Sequence, residues 1–83
     1  RRVTLLLSAV RGASFVEVHA GSRSGELLYR GVLRRGASKR FVRPRLFVTA
    51  AAPANLDVRA NGSVVRIPDA GEVAVSARPV AGS

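Results

Sequence analysis

The sequence predicts an all-β domain: an antiparallel β-sandwich or partly closed barrel of about seven to eight short strands. Three observations carry this expectation. Apolar residues alternate with polar ones at period 2, and no segment repeats at helical spacing. Turn residues (Gly, Pro, Asn) punctuate the chain at intervals of about ten residues. One dipeptide, Asn61-Gly62, sits between two β-prone runs and matches the two-residue hairpin turn whose central positions both need positive φ. The 83 residues are 47% hydrophobic and 23% charged, the balance of one small core rather than of a disordered or collagen-like chain.

Each element follows from the same logic. Val3, Leu5, Leu7 and Ala9 fall on one face of a first strand, with Thr4, Leu6 and Ser8 on the other. After the turn Arg11-Gly12-Ala13, residues 14–20 place Val16, Val18 and Ala20 on one face and Phe15, Glu17 and His19 on the other, with Phe15 expected to anchor one end of the core. The loop 21–25 carries two glycines and joins this strand as a hairpin to residues 26–34, where Gly31 suggests a bulge. A turn at Arg35-Gly36-Ala37 leads to a charge-rich edge strand over 38–42, and Pro44 separates it from a strand over 46–50. Pro53 and Asn55 mark the connection to Leu56, Val58 and Ala60, which alternate with Asp57, Arg59 and Asn61. The Asn61-Gly62 turn leads to a strand over 64–67, and Pro68-Asp69-Ala70-Gly71 turns into a last strand with Val73, Val75 and Ala77 on one face. No helix is required. A single domain spans 1–83, ordered over about 3–77, with a frayed tail over 78–83.

Composition narrows the chemistry. There is no cysteine and His19 is the lone histidine, which excludes a disulfide framework, a thiolate zinc site and a histidine metal cluster. No cofactor is implied. The set that a sheet could gather for nucleophilic catalysis is Ser14, Glu17 and His19, but no Gly-x-Ser-x-Gly elbow or oxyanion loop accompanies it. The longest mostly apolar stretch, 3–10, is interrupted by Thr4 and Ser8 and is far short of a membrane span. The chain begins at Arg1 and contains no Met, as a fragment of a longer protein would.

Charge is the strongest compositional signal. Fourteen basic residues face five acidic ones, a net charge of +9. Arg30, Arg34, Arg35, Lys39, Arg40, Arg43 and Arg45 fall in one span, and no acid occurs between Glu26 and Asp57. Such a span forms a candidate surface for anionic partners, or solvates outward strand faces and guards a sheet edge. A basic β-barrel that binds nucleic acid is the alternative reading. Phe15, Tyr29, Phe41 and Phe47 are the available aromatics, few for base stacking when a core this small also needs them.

The order of motifs is also familiar. Ser14-Phe15-Val16-Glu17-Val18, a glycine-bearing turn, the run from Glu26 through Gly31-Val32-Leu33, then Arg35-Gly36-Ala37-Ser38, and Asn61-Gly62 ahead of Ile67-Pro68 and Gly71, resembles the C-terminal domain of RodZ-like proteins. The likeness spans about Val3 to Ala77. Phe15 stands where that family usually has Trp, Ala37 where Glu is usual, and Ala51-Ala52-Pro53-Ala54-Asn55 where a glycine-led turn is expected. The resemblance implies a β-sandwich-like, non-catalytic interaction or scaffolding domain. It would lie on the extracytoplasmic side of a single-pass bacterial membrane protein that carries an upstream helix-turn-helix and acts in cell shape, division or wall-synthesis organisation. Implied partners are envelope or wall-synthesis proteins. The charge adds anionic wall polymers or a lipid surface.

Overall fold

The computed structural model describes residues 2–76. Eight strands follow one another: β1 (Val3–Ala9), β2 (Ser14–Ala20), β3 (Leu27–Leu33), β4 (Ser38–Arg43), β5 (Arg45–Ala50), β6 (Leu56–Ala60), β7 (Ser63–Val64) and β8 (Glu72–Ser76). They form two antiparallel four-stranded sheets, ordered β4-β1-β6-β7 and β3-β2-β5-β8. The sheets pack face to face and do not close into a barrel, which resolves the sequence alternatives in favour of the sandwich. Where the sequence marks only a connection, Pro53–Asn55 forms a 3₁₀ turn. It forms where Pro53 fixes φ at the start of a tight connection between sheets.

The core is the period-2 pattern made solid. Val3, Leu5, Leu7 and Ala9 of β1 lie against Val16 and Val18 of β2 and Leu46 and Val48 of β5, all fully buried. Leu33, Ala50, Leu56, Val58, Ile67 and Val75 complete it. Connections keep crossing between the layers, because only β2–β3 and β6–β7 are hairpins within one sheet. Pro44 alone links β4 to β5, and the chain changes sheets there.

Three expectations need correction. Phe15 does not anchor the core: it lies on the outer face of its sheet, 42% exposed, because Ser14, Val16 and Val18 take the inward positions and the period-2 rule sends Phe15 out. The bulge lies not at Gly31, which pairs regularly with Val16, but where the register slips from Val18↔Tyr29 to His19↔Leu27. Leu28 is the extra residue, so Leu28 and Tyr29 both pack toward the core while Leu27 is exposed. The strand over 64–67 stops at Val64. Val65 keeps one ladder bond, its N–H donating to the Val58 carbonyl, and then Pro68, without an N–H, ends pairing while Ile67 turns into the core. The part of the last strand at Ala77, and the tail over 78–83, lie outside the described residues.

Candidate functional site

All seven basic residues of the span from Arg30 to Arg45 are exposed, but the fold sorts them. Arg30 lies on the outer face of β3, where its Nε donates to Glu17 Oε2 at 2.9 Å. Arg45 opens β5 in the same sheet, opposite Ser76. Arg34 and Arg35 occupy the turn that leads into β4, and Lys39, Arg40 and Arg43 lie on β4 itself. Among the described residues none of these five has a carboxylate within ion-pair distance, whereas Arg23, Arg30 and Arg59 are paired with Glu72, Glu17 and Asp57. Five exposed cations with no ion-paired acid among the described residues make this rim strongly positive.

Among the described residues β4 is also a sheet edge, and the hydrogen-bond phase shows which of its peptide groups point outward. Thr4 exchanges bonds with Asn61, donating to Oδ1 and accepting from the backbone N–H, both at 2.8 Å, so the even-numbered residues of β1 point their peptide groups toward β6. The odd-numbered ones point toward β4, as Ala9 does in donating to the Ala37 carbonyl. With Leu5 opposite Phe41 and Leu7 opposite Lys39, the peptide groups of Lys39, Phe41 and Arg43 are engaged by β1, and those of Ser38, Arg40 and Val42 face away from the sheet. Arg43 Nη1 donates to the outward Val42 carbonyl at 2.8 Å.

The side chains of β4 alternate accordingly. Ser38, Arg40 and Val42 lie beside Ser8, Leu6 and Thr4 on the outer face, while Lys39, Phe41 and Arg43 lean toward the gap between the sheets. There Tyr29 of β3 meets Phe41 with ring centroids 6.4 Å apart, and the Lys39 ammonium sits 5.1 Å above the Tyr29 ring. The edge therefore carries an apolar strip between cations. Tyr29 and Phe41 are consumed in this packing and do not form an exposed stacking platform.

The other residues singled out in the sequence have structural duties. Asn61 (φ 52°) and Gly62 (φ 85°) form the two-residue turn between β6 and β7, both at positive φ as expected. Ser14 Oγ, on the inward side of β2, donates to the Phe15 carbonyl and accepts from the Ala52 N–H. It is separated from Glu17 and His19 by the sheet itself, so those three do not converge. His19 Nδ1 lies 3.0 Å from the Gly25 carbonyl and Nε2 3.2 Å from Glu17 Oε1. The bond to the Gly25 carbonyl, then the one to Glu17, raises the His19 pKa, and the bond from Arg30, then the one from His19, lowers that of Glu17.

Two roles escape sequence inspection. Arg11 donates from Nε to the Ala54 carbonyl and from Nη2 to the Leu56 carbonyl, both at 2.6 Å, clamping the 3₁₀ turn. Asn55 Nδ2 returns a bond to the Ala13 carbonyl at 2.9 Å. Arg11, with Ala52, Leu56, Val65 and Ile67, also lines an open groove of about 580 Å³ beside β6. Among the described residues no cluster of His, Asp or Glu could hold a metal ion, and no helix is long and apolar enough to cross a membrane. No protein-family model, curated protein or solved structure matches the chain.

Proposed function

We propose that this domain is a non-catalytic interaction module, similar in role to the C-terminal domain of RodZ-like proteins, that docks an anionic partner on its β4 edge at the extracytoplasmic side of a bacterial membrane. The observation that carries the reading is the row Arg34, Arg35, Lys39, Arg40 and Arg43, five cations with no ion-paired carboxylate among the described residues, beside outward-facing peptide groups. The order of motifs along the chain supports the placement in the envelope, where wall-synthesis proteins, acidic wall polymers and anionic lipid are the available partners. Nucleic acid is the poorer fit, because Tyr29 and Phe41 are packed between the sheets rather than presented beside the cations.

The test is an amide-shift titration of the domain with soluble anionic wall fragments, anionic lipid vesicles and a short DNA duplex, at low and near-physiological salt. Saturable shifts confined to residues 34–43 with an envelope probe, surviving salt and lost on changing Arg34, Arg35 and Arg40 together to Ser, are the expected result. Shifts with the duplex alone, or binding untouched by the triple change, overturn the proposal. A topology reporter fused to the domain in its parent protein must also report export.

A further inference from the structure

We infer that β4 accepts an acidic, extended segment of a partner protein as a fifth, antiparallel strand on the edge of its sheet. The inference rests on the basic-edge reading and names its partner class. Among the described residues four strands are sheet edges, and three are poorly suited to adding a strand. β7 is two residues long. β3 carries the bulge at Leu28, and its one strand cation is already neutralised by Glu17. β8 contributes Glu72, which is paired with Arg23. β4 is six residues long and pairs with β1 in unbroken register, so its outer side is a straight template.

Pairing with a second copy of β4 is disfavoured by the same charges. In an antiparallel pair centred on Phe41, Lys39 would face Arg43 of the other copy, and in one centred on Arg40 the two Arg40 side chains would meet. Like charges directly opposite destabilise a strand pair, and opposite charges stabilise it. Edge cations that block self-pairing thus select an acidic strand.

Register fixes the pattern this strand must have. Peptide groups of Ser38, Arg40 and Val42 would exchange ladder bonds with it, and a partner N–H would replace the Arg43 guanidinium on the Val42 carbonyl. Residues opposite Arg43, Arg40 and Lys39 should be acidic. Those opposite Val42 and Phe41 should be apolar and β-branched, to extend the outer face beside Val42 and the Tyr29–Phe41 strip. Running antiparallel, the segment reads acid, apolar, apolar, acid, acid.

The probe is the blocked peptide Glu-Val-Val-Glu-Asp-Thr, titrated into the 83-residue chain at near-physiological salt. Its control carries Pro in place of the first Val, which keeps every acid but removes the N–H that would meet the Val42 carbonyl. Saturable shifts centred on the Arg40 and Val42 amides are expected, with binding about tenfold weaker for the Pro peptide. Arg40→Glu should weaken binding, and replacing the second Glu of the peptide by Lys should restore it. Equal binding of both peptides would mean attraction by charge alone and would overturn strand addition while leaving the basic-edge function standing. Silence toward both peptides, with wall fragments still shifting residues 34–43, would have the same meaning. Silence toward every anionic probe would overturn both.

Discussion

His19 Nε2 lies 3.2 Å from Glu17 Oε1 while its Nδ1 lies 3.0 Å from the Gly25 carbonyl, so each ring nitrogen faces an acceptor. Only the imidazolium can donate to both. The folded protein therefore holds this proton more tightly than the unfolded chain does. The stabilisation is fully present below the ordinary histidine value of 6.5 and is lost as pH rises through the raised folded value. Glu17 acts in the opposite sense: its contribution is present above its ordinary 4.5 and is lost as pH falls through the lowered folded value. The two overlap between about pH 4.5 and 6.5, where the pair contributes most. His19→Gln should lower the melting temperature in that window, and the difference from the unaltered protein should shrink on the alkaline side. A difference constant from pH 5 to 9 would mean that the proton is not involved.

The Asn61-Gly62 turn predicts a second asymmetry. An added Cβ at Gly62 would meet nothing within 4 Å, so its requirement is one of conformation alone, at φ 85°. Gly62→Val should cost about 1–3 kcal/mol in urea unfolding through backbone strain. Asn61→Gly tolerates the same φ but loses the Oδ1 that takes the Thr4 N–H, so it should still destabilise by about 1 kcal/mol. An unaffected midpoint for Asn61→Gly would show that water replaces this acceptor at no cost.

The turn was legible because its signal is local: two adjacent residues and a φ requirement. So were β1, β2 and β6, whose alternation reports directly which side is buried. Alternation also puts Phe15 on the face opposite Val16 and Val18; only the expectation that a large aromatic must cap the core departs from it, and Ser14, Val16 and Val18 fill the inward face without the ring. Alternation cannot foresee that the chain leaves the sheet after Val64, since Val65 and Ile67 look like strand residues, yet pairing ends at the Val65–Val58 bond although Asp57 and Leu56 continue β6. The basic span was visible as a run of charge. Its division into paired Arg30 and a row of cations without acids depended on Glu17, thirteen residues away in sequence, lying across the strand pair.

Arg11 shows the same limit at long range. Its guanidinium spans the Ala54 carbonyl of the connection between β5 and β6 and the Leu56 carbonyl at the start of β6, more than forty residues on, in a geometry that a planar fork satisfies and an ammonium does not. Arg11→Lys should destabilise the domain by about 1 kcal/mol despite preserving charge. Amide exchange should quicken first at residues 53–56, which depend on that clamp. Uniform quickening over the whole domain would assign Arg11 a global rather than a local role.

Phe15 and Leu56 separate burial from hydrophobicity. Phe15 is the larger side chain, yet it pairs on the outer face with Val32, and the two are 42% and 57% exposed. Leu56, 5% exposed, fills the core at the start of β6. Phe15→Ser should shift stability by no more than about 0.5–1 kcal/mol. Leu56→Ala should remove about 2–5 kcal/mol, a large part of the roughly 4–12 kcal/mol a domain this size possesses. Chemical unfolding of the two variants side by side decides the matter. A greater loss for Phe15→Ser would place its ring against the core and require the inward face of β2 to be reassigned.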